Sequence, residues 1–343
     1  MKSPLACIIS VLAILAQSFQ CTISGAEQSA PLSYIQGQNW DQWVNSYNRF
    51  LDSTSVKWHD SLLSNKNIFR AQDCWLFGKA SLKYMFEVKP SAIGMRDGDL
   101  RLVADFSKRL KAKNISFIVV PLPNKTDLYA DKIIGNRSNE IPNPNYYKVL
   151  NQFAAEGIEC INILDTMNKL KNNGNISDHL FLSAYDFFSP KGIEFIAEAI
   201  SEKLKMYPWY GELARTPYTS KESKDGNFTD VNFDSMQKEC LKDTLHFNQV
   251  FSEDGQPYKA CKTAPIVISG QSTRLYEDII SKNAGLPSLV AEKLATKTNW
   301  VILWMFDLKS YLNALEKRIS KKNTSPKAIV FVIDILDIAK TKR

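Results

Sequence analysis

Ser272 has the clearest route to chemistry of any side chain in this sequence. The run Ile266-Val267-Ile268-Ser269-Gly270-Gln271-Ser272 carries a short β-branched stretch into Gly-Gln-Ser. Such a stretch suits a buried strand, and a glycine at its end permits a tight turn. A serine after that turn sits where α/β hydrolases present a nucleophile, although the full G-x-S-x-G pattern is absent. The same serine would equally cap a helix starting near Thr273, so both roles stay open. A serine nucleophile needs a base, usually a histidine held by a carboxylate. The chain offers His59, His179 and His246. His59 falls in a helical N-terminal region and His246 in a polar insertion. His179 directly follows Asp178, and adjacent residues are poorly placed to orient one another as a dyad; it is kept as an alternative base. These scattered histidines lack the i, i+4 pairs of metal sites, and no CxxC pattern suggests zinc, so no metal is expected. No Walker loop or G-x-G-x-x-G occurs, so neither a nucleotide nor another cofactor is expected. The basic cluster Lys317-Arg318 and Lys321-Lys322 lies in aromatic-poor sequence and reads as a solvated helix end, not a nucleic-acid patch.

The elements that must position Ser272 alternate along the chain. Residues 27–70, with Trp40, Trp43 and Trp58 among helix formers, predict one or two helices packed on the main body. Asp73-Cys74-Trp75-Leu76-Phe77 reads as a short strand. Leu100, Val103, Phe106 and Leu110 recur at helical spacing, predicting a helix over 97–113. Phe117-Ile118-Val119-Val120 reads as a buried strand. A helix over 146–157, stopped by glycine, precedes a strand over 160–164. A helix over 190–205 begins with a proline. Strands at 266–268 and 300–306 follow, then a helix over 307–321 and a last strand over 328–336. This alternation predicts an α/β fold with a mostly parallel sheet, whose ligands sit at the carboxyl ends of the strands. Residues 208–262 break the rhythm and read as a polar insertion.

The N-terminus has a positive Lys2, a short apolar run over residues 5–19 and the small residues Ser24-Gly25-Ala26. That is the layout of a secretory signal peptide over residues 1–26, with the mature chain at 27–343. The run falls short of the roughly 20 apolar residues of a span, although an uncleaved anchor in the inner membrane is the alternative. Phe19-Gln20 before Cys21 make a poor lipobox. Export permits disulfides among Cys74, Cys160, Cys240 and Cys261. Cys240 and Cys261 flank a polar stretch and are the expected pair. Cys160 lies in an apolar run, where a buried free thiol is as good a reading as a bridge. The chain has 343 residues, 44% hydrophobic and 23% charged, which suits a globular protein with a full core. A net charge of +7 suits an anionic partner without choosing among polysaccharide, nucleic acid and membrane, and a solvated lysine-rich surface explains it as well.

Several segments in order resemble the SGNH hydrolase-like domain of the alginate acetylation proteins AlgJ and AlgX. Asp73-Cys74-Trp75-Leu76-Phe77 resembles the family's Asp-Gly-Trp-Leu-Phe, with Cys74 in place of glycine. Val120-Pro121-Leu122-Pro123-Asn124-Lys125, with Leu128-Tyr129, resembles its Val-Pro-x-Pro-x-Lys strand and following tyrosine. Gly270-Gln271-Ser272 resembles its Gly-Asp-Ser nucleophile block, and Ile302-Leu303-Trp304-Met305-Phe306 its late strand with Trp-Glu-Phe. The family's Tyr-Leu-x-Thr-Asp-Thr-His-Trp-x-Pro-x-Gly aligns without a gap on residues 181–192, framed by Pro190 and Gly192. Tyr185 then falls on the catalytic aspartate and Phe187 on the catalytic histidine, while Asp186 is one residue off. The resemblance implies a three-layer SGNH-type α/β sandwich in a periplasmic protein of alginate-type exopolysaccharide O-acetylation, without a cofactor. Two activities follow as expectations. One is a serine-dependent O-acetyltransferase or acetylesterase built on Ser272, Gly270 and Gln271. The other is a catalytically degenerate homologue that binds the anionic polysaccharide, or an envelope secretion or acetylation complex, with Tyr185, Phe187, Phe188 and Trp304 available to stack on sugars. A protein that kept only the fold is the third reading.

Overall fold

In the computed structural model the residues described are 39–52, 66–89, 92–135, 142–172, 179–225, 235–240, 245–270, 277, 283–302, 307–320 and 326–338. The leader at 1–26, His59, Asp178, Gln271, Ser272 and Trp304 therefore lie outside the described residues. Asn39–Arg343 forms one compact unit.

Nine strands among the described residues build three sheets. β1 (Ile68–Arg70) and β2 (Leu76–Gly78) pair antiparallel, joined by a 3-10 turn at Gln72–Cys74. The central sheet takes β3 (Ser116–Leu122) and β4 (Glu159–Cys160). Beyond it, β5 (Tyr218–Asp225) and β6 (Leu245–Ser252) make a separate antiparallel hairpin. The central sheet is completed by β7 (Ile266–Ser269), β8 (Thr298–Val301) and β9 (Ala328–Asp334). Its order is β4-β3-β9-β7-β8, and each of its neighbouring pairs is parallel. The last strand thus slots between the halves of the sheet, with Val330 beside both Ile118 and Ile268.

Burial explains this order. β3, β7 and β9 form the middle of the sheet, and Ile118, Val119, Val120, Ile266, Ile268, Ile329 and Val330 are sealed from solvent. Central parallel strands must be apolar on both faces because helices cover them. The helices Asp97–Lys111 and Pro190–Lys205 bury Val103, Phe106, Leu110 and Ile193, Ile196, Ile200, Leu204, at the three-to-four residue spacing of one helical face. Tyr146, fully buried, donates to the Pro121 carbonyl and accepts from the Ile163 and Leu164 amides, tying β3 to the helices Pro144–Ala155 and Ile163–Asn172.

The structure corrects the expectations in four places. The strand expected over 160–164 stops at Cys160, because Asn162 and Asp165 bond each other and open a helix at Ile163. The strand expected over 73–77 is split by the left-handed residues Asp73 (φ 52°) and Cys74 (φ 62°) and resumes at Leu76. The insertion at 208–262 holds the β5–β6 hairpin, which polar residues disguise because Thr219, Ser220, Lys221 and Glu222 on β5 are all exposed. Most directly, Cys240 is bonded to Cys74 and not to Cys261, which is a free thiol beside Thr263, as Cys160 is also free. The polar stretch that they flank is what favours Cys240 with Cys261 in the sequence. Yet Cys261 is tied to the start of β8 through its N–H to the Thr298 carbonyl, whereas Cys240 packs with Leu76 and Ala184 beyond the other end of the sheet. Among the described residues no helix is long and apolar enough to cross a membrane.

Candidate functional site

The carboxyl ends of β3, β9 and β7 lie side by side, and the chain leaves each into a segment marked by the sequence. After β3, Asn124 begins a one-turn helix at Lys125–Tyr129 and caps it by accepting from the Thr126 amide, while Asp127 accepts from the Asn124 amide. The cap turns Lys125 inward. Its side chain is fully buried, and its ammonium lies within 2.7–3.0 Å of the carbonyls of Leu76, Leu182, Ser183 and Tyr185. It also sits 4.9 Å from the Trp75 ring and 4.8 Å from the Phe77 ring, where ring quadrupoles favour a cation. Burial lowers its pKa to about 7, and the charge of Asp186 acts in the opposite direction. A buried ammonium that is solvated by main-chain carbonyls is a structural rivet. Three of its four acceptors belong to the block at 182–185.

That block doubles back on itself. The Leu182 amide donates to the Phe187 carbonyl and the Ser189 amide to the Leu180 carbonyl. Ser189 then caps the helix Pro190–Lys205 by accepting from the Gly192 amide. A β-carbon at Gly192 would stand 2.2 Å from the Leu180 carbonyl oxygen, which explains the glycine that frames this motif.

Asp186 points inward from the turn. One of its oxygens accepts from the Gly78 amide (2.9 Å) and the Ser81 hydroxyl (2.7 Å); the other is buried without a hydrogen bond. Ser81 accepts in turn from the Asn124 side chain. The neighbours of Asp186 go the other way: Tyr185 and Phe187 stack with ring centroids 4.2 Å apart and planes 24° apart, and Phe187 is 39% exposed. Phe188 does not join them. It is buried 4.1 Å from Phe181 and is core.

His179 is exposed, with its ring 4.9 Å from Trp75 in an edge-on contact. His246 is on the hairpin, bonded to Glu222, far along the chain from these segments. At the end of β7, Gly270 has a φ of +150°, and a β-carbon there would stand 1.9 Å from the Val332 carbonyl oxygen. Only glycine lets the chain leave β7 so close to β9. Two strand positions, about 10 Å, separate this exit from β3 and its Lys125 turn. Ser269 just before it is sealed, bonded to the Val301 carbonyl and the Tyr311 hydroxyl.

The structure therefore brings Tyr185, Asp186 and Phe187 together on one riveted turn, and it accounts for Gly192 and Gly270. Sequence reasoning missed that Lys125 and Asp186 hold this turn. A lysine directly after an apolar strand, in a segment otherwise bound for burial, was the available signal. It missed the Cys74–Cys240 bridge as well, because the left-handed backbone that aims Cys74 has no signal in the sequence.

Comparison with known proteins identifies a family and a fold. A family model described as the SGNH hydrolase-like domain of acetyltransferase AlgX matches residues 68–258, from β1 to just past β6. That span includes Lys125 and the block at 181–192, while Gly270-Gln271-Ser272 lies beyond it. Among solved structures, the O-acetyltransferase domain of Pseudomonas putida AlgJ aligns with a TM-score of 0.58 at 12% identity, over 81% of this chain and 94% of that one. Pseudomonas aeruginosa AlgX aligns with a TM-score of 0.55 at 16% identity, over 80% of this chain and 63% of that one; the chain thus spans less than two thirds of AlgX. At these identities the likeness is one of fold. Comparison with curated protein sequences returns no match. Because the family model covers more than half of its length, this chain belongs to the family of the AlgX SGNH hydrolase-like domain.

Proposed function

We propose that this protein serves the O-acetylation of an alginate-type exopolysaccharide as a polymer-binding member of its family rather than as the transferase itself. The observation that carries this reading is the stacked pair Tyr185–Phe187, half-open to solvent, on the turn where the family's pattern has its aspartate and histidine. Two aromatic faces on a rigid turn suit the apolar face of a sugar ring. Neither side chain can act as the histidine of a triad, and Asp186 is committed inward to Gly78 and Ser81.

The working location is the periplasm, reached by a leader over residues 1–26, with residues 27–343 as the mature SGNH-type domain and 208–262 as its insertion. The Cys74–Cys240 bridge supports an oxidising compartment. The partners are the anionic polymer and proteins of an envelope acetylation complex.

The test is binding of alginate oligosaccharides to the purified mature protein. Tyr185→Ala and Phe187→Ala should each weaken binding by roughly fivefold, about 1 kcal/mol for a ring contact. Wild-type affinity in both variants would remove the aromatic site.

A second reading keeps the chemistry, and Gly270 favours it: the strand exit that would present Ser272 retains the backbone only glycine allows. Ser272 would be the nucleophile, flanked by Gly270 and Gln271, with His179 as the base. Turnover of a small activated acetyl ester that disappears in Ser272→Ala would install this reading in place of the first.

A further inference from the structure

The parallel sheet has two edges of opposite charge character. At the carboxyl edge, carboxylates gather: Asp131 after β3, Asp165 after β4, Asp186 on the riveted turn, and Asp334 and Asp337 at the end of β9. Three lysines on that side are engaged, while Lys83 and Lys309 stay exposed. Lys125 is buried, Lys132 pairs with Asp73 and Lys171 with Asp131.

At the amino edge the reverse holds. Four neighbouring strands, in the order β3-β9-β7-β8, are each preceded within a few residues by an exposed lysine: Lys113, Lys327, Lys262 and Lys297. Backbone bonds fix these lead-in segments side by side, since the Ser116 amide donates to the Lys327 carbonyl, the Lys327 amide to Pro265 and the Cys261 amide to Thr298. The helix Leu308–Ser320 brings Arg318 to the same place, where Lys262, Asn299, Arg318 and Pro326 line one shallow depression. Glu316, on that helix, is held by Arg109 and Lys113. Glu156 and Glu159 sit at β4, the far end of the edge, where Glu159 pairs with Lys203.

Basic residues in a last helical turn are ordinary partners of the helix dipole, which accounts for Lys108, Lys111, Lys317 and Arg318. That reason does not extend to Lys262 and Lys327, which lead into strands from loops. Strands in a sheet lie about 4.8 Å apart. The lead-in segments of β9, β7 and β8 therefore spread Lys327, Lys262 and Lys297 across about 10 Å of one edge. A row of that kind matches a polymer with one carboxylate per repeat better than it matches a compact anion.

We propose that Lys327, Lys262, Lys297 and Arg318 form a docking strip for a polyuronate chain, on the opposite edge of the sheet from Tyr185 and Phe187. This rests on the reading of the protein as a polysaccharide binder and adds a second, electrostatic contact to it.

The experiment measures binding of end-labelled polymannuronate oligosaccharides and of the same oligosaccharides with their carboxylates reduced to alcohols, between about 50 and 200 mM salt. The proteins are the wild type, the combined variant Lys262→Gln/Lys297→Gln/Arg318→Gln/Lys327→Gln, and Tyr185→Ala. All four sites of the combined variant are exposed, so its thermal midpoint should match the wild type. The expected result is a roughly tenfold weaker affinity for the acidic chain in the combined variant, with a shallower salt dependence, while Tyr185→Ala weakens acidic and neutral chains alike. Wild-type affinity and salt response in the combined variant would overturn the strip and leave the aromatic site standing. An undiminished strip effect with no effect of Tyr185→Ala would do the opposite. Capture on phosphatidylglycerol vesicles through the same four residues, without polyuronate binding, would assign the strip to a lipid surface and overturn the proposal.

Discussion

Lys125 shows how much of this site depends on one side chain. Its ammonium is the common partner of four carbonyls from two segments that are otherwise held together by few bonds. Lys125→Met keeps the packing against Trp75 and Phe77 but leaves those carbonyls and the charge of Asp186 without a cation. Breaking a buried charge arrangement by removing one partner costs about 3–5 kcal/mol, so the urea midpoint should fall accordingly, and binding at Tyr185 and Phe187 should weaken with it. Asp127 makes a second prediction. Burial raises its carboxyl pKa to about 7, against hydrogen bonds from the Asn124 amide and the Tyr84 hydroxyl, and one of its oxygens has no partner. An unfolded aspartate titrates near 4. Between about pH 4 and 7 the folded protein thus holds a proton that the unfolded chain has lost, and stability falls as pH rises, by up to about 1.4 kcal/mol per pH unit. Asp127→Asn should flatten that slope, as followed by urea unfolding across the window.

At the scale of elements, the bridge between Cys74 and Cys240 closes a separation of 166 residues. It joins the left-handed turn before β2 to the helix Ser235–Cys240, whose last carbonyl accepts from Ser183 on the site block. In the chain-entropy account a loop of this length contributes about 5 kcal/mol at most. Cys74→Ser should therefore lower stability by a few kcal/mol, and Cys261→Ser should leave it unchanged. Peptide mapping without reductant should recover the Cys74–Cys240 pair. The same elements show what the sequence made legible. Helices with a single apolar stripe, such as 97–111 and 190–205, and the β-branched cores of β3, β7 and β9 were readable because periodicity records burial directly. Pro190 and Gly192 were legible for the same kind of reason, because each answers a local backbone demand. What was not legible depended on partners distant in the chain. Cys74 finds Cys240, Lys125 finds the carbonyls of residues 182–185, and the hairpin at 218–252 is held by cross-strand pairing that its polar composition hides.

The whole molecule adds a property that net charge concealed. A formal charge of +7 is compatible with an evenly solvated surface, and the cluster at Lys317-Arg318 read that way in isolation. Folding sorts the charges, since each strand of a parallel sheet starts at one edge and ends at the other, and four of them start beside a lysine. Two contacts on opposite edges make binding depend on polymer length. β3 has seven residues, so the edges lie at least about 20 Å apart at roughly 3.3 Å per residue. A short oligosaccharide can occupy the aromatic pair or the lysine strip, but not both. A chain long enough to pass around the sheet gains the second contact at the effective concentration set by its own length. Affinity measured against oligosaccharide length should therefore climb slowly, then step upward once the chain reaches both edges, then level off. The step should vanish in the combined lysine variant and also in Tyr185→Ala, because each removes one end of the span. A smooth rise with no step in the wild type, with each variant still binding more weakly than the wild type, would mean that the two edges act on separate chains.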